Sequence, residues 1–214
     1  MTKHNNNVEI EAKFNVSNLN DINKKLEITG AILSQPRVYE RNLRFDTPGG
    51  DLRREFKVLR LRQDTQNRLT FKAPKENNQG IHHRTEIEFS VSDFENTQYL
   101  LEALGYEIFM VYEKYRTSYT LGEVSISLDE LPFGYFVEIE GPNSDTIRGI
   151  ASILDLQWKY SINNSYSEIF EHLRQVLGFT FRDLTFDNFL EIKSPLNRLS
   201  ITPADLTDND LSQD

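Results

Sequence analysis

Apolar and charged residues alternate strictly along Val8-Glu9-Ile10-Glu11-Ala12-Lys13-Phe14. Read as a β-strand, this heptapeptide puts Glu9, Glu11 and Lys13 on one face and Val8, Ile10, Ala12 and Phe14 on the other, because successive side chains point to opposite sides of a sheet. A helix would scatter the same charges, since residues two apart stand about 200° from each other around its axis. The alternation returns several times. Leu59 and Leu61 oppose Arg60 and Arg62, and Arg68 to Lys72 follows after a polar turn, so these two runs predict a basic hairpin. From His82 to Val91, Arg84, Glu86 and Glu88 oppose Thr85, Ile87 and Phe89. Further on, Ser125, Ser127 and Asp129 oppose Val124, Ile126 and Leu128, and Glu138 and Glu140 alternate with Val137 and Ile139. Ala31 to Asp46 and Tyr106 to Thr120 read as longer extended runs, the second carrying Lys114 and Arg116.

Helical spacing takes over between these strands. Ser17 predicts the N-cap of a helix with Leu19, Ile22 and Leu26 on its apolar side, ended by Gly30. Ser92-Asp93-Phe94-Glu95 has the form of a capping box ahead of Phe94, Leu100, Leu101 and Leu104, with Gly105 as the stop. Beyond Asn143, Ile147, Ile150, Ile153 and Leu154 form one apolar stripe, and Ile169, Phe170, Leu173 and Leu177 form a second within Tyr166 to Gly178. Both read as packing helices. The phenylalanine-rich run from Phe179 to Leu190 predicts a last short helix against the sheet. These elements assign residues 1–190 to one domain and leave 191–214 as a polar, acidic C-terminal tail, expected to be disordered.

Composition narrows the chemistry. The formal net charge of −9 over 214 residues argues against a general nucleic-acid binder, so any phosphate site must be locally basic. The absence of cysteine excludes disulfides, thiolate zinc sites and cysteine nucleophiles, and is compatible with a reducing cytoplasm. The polar start and the lack of a long apolar window predict neither a signal peptide nor a membrane span. The expectation is a cytoplasmic monomer or homodimer without nucleic-acid or membrane partners.

The common strand faces collect seven acidic residues (Glu9, Glu11, Glu86, Glu88, Asp129, Glu138 and Glu140) and seven basic ones (Lys13, Arg60, Arg62, Lys72, Arg84, Lys114 and Arg116). If the helices cover the apolar faces, the charged faces line the interior of a small antiparallel barrel. A curved sheet with one solvated face accounts for each strand separately and stands as the alternative. Residues two apart in a strand are about 6–7 Å apart, so carboxylate pairs on neighbouring strands can surround a small cation. An all-oxygen ligand set favours Mg2+ or Mn2+ over zinc, while arginine and lysine suit an elongated polyanion such as a triphosphate. Acidic face, metal and basic face together are what phosphoryl transfer requires. His82-His83 reads as a surface pair, and Tyr166 as a packing residue, with closure of one end of the barrel as its alternative.

The motifs that carry this pattern resemble those of a known family. Glu9-Ile10-Glu11-Ala12-Lys13 matches the E-x-E-x-K signature of the CYTH superfamily, the triphosphate tunnel metalloenzymes, which includes class IV adenylyl cyclases and thiamine triphosphatases. The resemblance continues through Arg44-Phe45-Asp46-Thr47, Leu59-Arg60-Leu61-Arg62, Thr70-Phe71-Lys72, Arg84-Thr85-Glu86-Ile87-Glu88, Glu113-Lys114-Tyr115-Arg116, Leu128-Asp129 and Phe136-Val137-Glu138-Ile139-Glu140-Gly141. It implies an α+β fold: an eight-stranded antiparallel β-barrel tunnel with a charged lumen, flanked by helices, that binds a triphosphate with one or two divalent cations. By the same resemblance Glu9, Glu11, Glu138 and Glu140 would hold metal, assisted by Asp129 or by Glu86 and Glu88. Lys13, Arg60, Arg62, Lys72, Lys114 and Arg116 would grip phosphates, with Arg84 a further member. Lys13 would also polarise the attacked phosphate or orient the attacking water. Many relatives carry an aromatic pair before the aspartate equivalent to Asp46, whereas this chain has Arg44-Phe45; Arg44 either takes over a catalytic role or forms an outer salt bridge.

The expected activity is a Mg2+- or Mn2+-dependent hydrolase of a nucleoside, thiamine or inorganic triphosphate. A class IV adenylyl cyclase, making cyclic AMP and pyrophosphate from ATP, uses the same site. A non-catalytic polyphosphate- or nucleotide-binding module is the alternative of another class.

Overall fold

The computed structural model describes residues 10–74, 84–192 and 195–206, and of Arg84 only the backbone. Glu9, His82 and His83 therefore lie outside the described residues, as does the side chain of Arg84. The strands are β1 (Glu11–Val16), β2 (Ile32–Asp46), β3 (Val58–Gln63), β4 (Asn67–Pro74), β5 (Arg84–Val91), β6 (Glu107–Leu121), β7 (Val124–Leu131), β8 (Gly134–Glu140) and the two-residue β9 (Ser161–Ile162). The α-helices are α1 (Leu19–Ile28), α2 (Asp51–Arg54), α3 (Phe94–Ala103), α4 (Ser144–Ile153) and α5 (Tyr166–Leu177). The strand order is β5-β4-β3-β2-β6-β7-β8-β1-β9, and the chain divides into two compact units, one containing Glu40–Glu113 and the other Ile10–Tyr39 with the chain from Lys114 onward.

In the Glu40–Glu113 unit, β2 pairs antiparallel with β3, β3 with β4 and β4 with β5. Leu43, Phe45, Leu59 and Leu61 form one buried face with Phe94 and Leu101 of α3. Alternation therefore does in this unit what the sequence predicts: the residues between those leucines point the other way. The turn after β2 is organised by Asp46, which accepts from the backbone N–H groups of Thr47 and Leu52 at 2.8 Å each and from Arg53 Nε at 2.7 Å. Gly50, with φ of 75°, starts α2 in a left-handed conformation that suits glycine.

In the other unit, β6 pairs with β7, β7 with β8, β8 with β1 and β1 with β9, all antiparallel. Phe14, Val16, Ile126, Leu128, Val137 and Ile139 supply its apolar face, covered by Ile22 and Leu26 of α1 and by Ile147, Ile150 and Ala151 of α4. Of the stripe predicted for α4, Ile147, Ile150 and Leu154 pack against the sheet, whereas Ile153 is exposed.

Several expectations require correction. The α+β class holds, but the closed eight-stranded barrel does not: the sheet has nine strands in an open order, and among the described residues no ladder joins β5 to β9. β5 and β9 are the two ends of that order, and β9 offers only the two residues Ser161–Ile162, paired with Lys13 and Phe14 of β1.

The helix caps are displaced by one residue. Asn18, not Ser17, caps α1, and the N-cap of α3 is Asp93, accepting from Asn96 N–H. A capping box does form, at Ser165 and Glu168 ahead of α5. The phenylalanine-rich segment forms only a 3-10 turn at Asp187–Phe189, held by ring contacts such as Phe179 with Phe181 at 4.7 Å and Phe170 with Phe189 at 6.0 Å.

The expected disordered tail is instead built into this unit as far as Leu206. Pro195–Leu199 is a 3-10 turn with Pro195 and Leu196 buried. A Cβ on Gly134 would lie 2.7 Å from Leu196 Cδ1, so a side chain there would displace Leu196 from its seat. Ala204 N–H donates to Asn15 O at 2.8 Å, and Gln157 N–H donates to Ala204 O at 2.9 Å. Asp205 then accepts from Ser17 N–H at 2.8 Å and from Ser17 Oγ at 2.7 Å, which explains why Ser17 is not the cap.

Candidate functional site

In the unit that contains β1 and β6 to β9, the alternation predicted from sequence becomes a buried charge network. Lys13 on β1 is the register partner of Glu138 on β8, and its Nζ lies 3.3 Å from Glu138 Oε1. Arg116 on β6 is the register partner of Asp129 on β7; its Nε and Nη2 donate to the two carboxylate oxygens at 2.6 Å each, and Nη2 also meets Glu138. Lys114, two residues earlier on the same face, donates to Asp129 Oδ2 at 2.9 Å. Lys13 and Lys114 are only 6% and 5% exposed and Asp129 is fully buried, so this face is not a solvated one.

Tyr166 completes the network. Its hydroxyl donates to Asp129 Oδ2 at 2.9 Å, its ring lies 4.4 Å below Lys13 Nζ, and it packs edge-on against Phe136 with centroids 5.1 Å apart. Lys13 also donates to the carbonyl of Asn164, at 3.2 Å, just before α5 begins. The capping box at Ser165 therefore sets Tyr166 over the strands. The sequence singles out Tyr166 as a packing residue, and the structure adds its hydrogen bond to Asp129.

The electrostatics follow from this packing. Burial alone would raise the Asp129 pKa, but the charges and hydrogen bonds of Arg116 and Lys114 overcome it and hold the carboxyl well below the usual carboxylate range. Burial likewise opposes ionisation of Glu138, and Arg116 and Lys13 reverse the shift to a lowered value despite neighbouring Asp129. Removing the Tyr166 hydroxyl from solvent, beside two carboxylates, pushes its pKa well above the ordinary phenol value.

Beside this network, Glu11 and Glu140 are register partners on β1 and β8. Two carboxylates directly across a ladder favour a shared cation, and oxygen-only donors are the ligand chemistry of Mg2+ and Mn2+. Glu11 and Glu140 thus have the chemistry to hold a hard divalent ion. Glu138 and Asp129 have both oxygens engaged, Glu138 by Lys13 and Arg116 and Asp129 by Arg116, Lys114 and Tyr166. Among the described residues no three carboxylate or histidine side chains already converge as a metal cluster.

The Glu40–Glu113 unit carries a second network on the face opposite its leucines. Arg44, Arg60, Thr70 and Glu88 are successive register partners across β2, β3, β4 and β5. Arg60 donates to Tyr112 Oη at 3.1 Å and to Thr70 Oγ1 at 3.3 Å, Thr70 donates to Glu88 Oε2 at 2.7 Å, and Arg62 donates to the same Glu88 oxygen at 3.2 Å. Arg62 also lies 3.5 Å from buried Glu40. Burial tends to raise the Glu88 pKa, yet the Thr70 hydrogen bond and the two arginines lower it. Lys72 is engaged by Glu86 at 3.1 Å. The structure thus brings Arg60, Arg62 and Glu88 together here, and Lys13, Lys114, Arg116, Asp129 and Glu138 together in the other unit. Arg44 has its guanidinium 5.5 Å above the Phe109 ring. Glu40, Thr70 and Tyr112 were not singled out from the sequence, since none interrupts the alternation.

Strands with charged networks on one face and helix-covered apolar residues on the other define an α+β protein built on an antiparallel sheet. Within that class the chain belongs to the CYTH domain family, whose model matches residues 7–164. It is 26% identical over 140 residues to the "Putative adenylate cyclase MJ0240" of Methanocaldococcus jannaschii, covering 64% of this chain and 79% of that one. A solved "putative adenylate cyclase" of Vibrio parahaemolyticus shares the fold with a TM-score of 0.69 at 22% identity, covering 77% of this chain and 98% of that one. So does the "Putative adenylyl cyclase HpAC1" of Hippeastrum, described as having a dominant triphosphatase activity, with a TM-score of 0.58 at 19% identity over 77% of this chain and 95% of that one. No helix among the described residues is long and apolar enough to cross a membrane.

Proposed function

We propose that this CYTH protein is a divalent-metal-dependent triphosphatase that hydrolyses a nucleoside, thiamine or inorganic triphosphate in the cytoplasm. The observation that carries the reading is the buried network of Lys13, Lys114 and Arg116 with Asp129 and Glu138. Burying such groups costs more than packing apolar side chains of the same volume, so their retention points to chemistry rather than stability. Phosphoryl transfer is the chemistry that uses them, because it depends on cations placed against phosphate oxygens and on carboxylates that position a metal.

In this reading Glu11, Glu138 and Glu140 would hold Mg2+ or Mn2+, with Glu9 added by the family signature, and the ion would neutralise charge on the phosphate oxygens. Lys13 and Arg116 offer cations to the triphosphate from positions fixed by Glu138 and Asp129. Asp129 acts as a positioning residue, since it anchors both Lys114 and Arg116. Lys13 is the residue placed to polarise the attacked phosphate, being held by Glu138, the Tyr166 ring and the Asn164 carbonyl.

The archaeal relative's name favours a second reading, an adenylyl cyclase acting on ATP. Purified protein incubated with ATP, tripolyphosphate and thiamine triphosphate in the presence of Mg2+ or Mn2+ tests both. Phosphate release is expected. Cyclic AMP with pyrophosphate would shift the assignment to the cyclase, and tight binding without any product would replace both with a binding module.

A further inference from the structure

Asn42 lies on β2 in the Glu40–Glu113 unit, on the opposite side of the strand from the core residue Leu43. It is 0% exposed, and neither Nδ2 nor Oδ1 has a hydrogen-bond partner. Buried polar groups in folded proteins are almost always paired, because an unpaired one loses its hydration without replacement. Leucine or methionine at this position would carry no such cost. The register partner of Asn42 is Arg62, and the buried Nε atoms of both Arg62 and Arg60 also lack a hydrogen-bond acceptor, with Asp64 3.9 Å from Arg62 Nε. The remaining contacts of the two guanidiniums run to Tyr112, Thr70, Glu88 and Glu40.

Three N–H donor atoms without an acceptor, Nδ2 of Asn42 and Nε of Arg60 and of Arg62, therefore sit on two neighbouring strands, with Oδ1 of Asn42 among them. The group that completes these three donors brings oxygen acceptors. A phosphoryl group is that kind of ligand, and two guanidiniums supply the charge to hold it. We propose that Asn42 is an affinity- and specificity-determining donor for phosphoryl oxygen: Nδ2 donates to a phosphate held by Arg60 and Arg62, which leaves Oδ1 to the guanidinium of its register partner. The inference rests on the reading of the chain as a polyphosphate-handling protein. It adds a neutral contact to the charged ones, and a neutral contact is not screened by salt.

The test uses the full chain with Asn42→Leu and Asn42→Ala, tripolyphosphate as the probe, calorimetric affinity at low and high salt, and the unfolding midpoint without ligand. Losing one hydrogen bond to a charged group should weaken tripolyphosphate binding by about 10- to 100-fold. The fold-loss should be the same at both salt concentrations, and the ligand-free midpoint of the leucine variant should equal or exceed that of the unmodified protein. Unchanged affinity overturns the inference. So do lowered midpoints in both variants, the mark of an amide satisfied inside the protein rather than by ligand. Failure of the unmodified protein to bind tripolyphosphate, ATP or thiamine triphosphate overturns the functional reading together with this inference, whereas binding that the variants leave intact overturns the inference alone.

Discussion

Arg116 grips Asp129 through both carboxylate oxygens, at 2.6 Å each, across the β6–β7 ladder. The aspartate has no exposed surface and also receives Lys114 and Tyr166, so it is the node on which three side chains depend. Asp129→Asn would leave two buried cations facing one neutral amide. The expected cost is about 3 kcal/mol, within the range for breaking a buried ion pair from one side. Urea unfolding of the variant measures it, and a change below experimental error would mean that the network is wetter than its geometry indicates.

Tyr166 separates hydrogen bonding from packing. Tyr166→Phe removes the bond to Asp129 but keeps the ring against Phe136 and beneath Lys13. It should cost about 1 kcal/mol, while Tyr166→Ala should cost about 3 kcal/mol or more through the lost ring. Equal losses in the two variants would show that the hydroxyl, not the ring, is what matters.

Glu138→Gln keeps the shape of the side chain and removes the charge that faces Lys13 and Arg116. Metal-dependent phosphate release should fall by about 100-fold or more, the scale seen when one electrostatic contact to a reacting centre is lost. Full activity in this variant would remove Glu138 from the metal and phosphate site.

The pH dependence of stability can be read from Asp46. Burial works to raise its pKa, but the Arg53 hydrogen bond and the backbone donors of Leu52, Thr47 and Arg53 lower it overall. A pKa depressed in the folded state stabilises the fold above the unfolded value of about 3.9, and that stabilisation is lost as pH falls through the folded value. Melting temperatures of the unmodified protein and of Asp46→Asn should differ at pH 7 and converge as the pH is lowered below about 4. A gap that persists unchanged at pH 3 would assign the effect to shape rather than charge.

The C-terminal segment makes a separate prediction. Asp205 binds the backbone N–H of Ser17 and Asn18 at the entry to α1. Asp205→Ala should cost about 1–2 kcal/mol, as removal of a carboxylate from a helix start does. It should also speed proteolysis after residue 190, and equal cleavage rates would mean that Pro195 and Leu196 hold the segment without it.

The sequence by itself determined what depends on period. Two-residue alternation placed Lys13, Arg60, Arg62, Lys114, Arg116, Asp129 and Glu138 on charged strand faces, and helical spacing placed Ile22, Leu26, Ile147 and Ile150 against the core, because facing is a local property of the backbone. Which charged residue meets which was decided only by the tertiary structure. Glu138 lies 125 residues from Lys13, and register, not sequence distance, makes them partners. The same holds for the node role of Asp129, for Tyr166 delivered by the cap of α5, and for the acidic tail, whose polar composition concealed Pro195, Leu196 and Ala204 as buried positions. The end of the sheet was decided at the same level: Ser161–Ile162 pairs with β1, and no alternation in β1 could announce that. Asn42 shows the boundary most clearly. Its place in the alternation is visible in the chain, but its lack of a hydrogen-bond partner exists only after four strands are laid side by side.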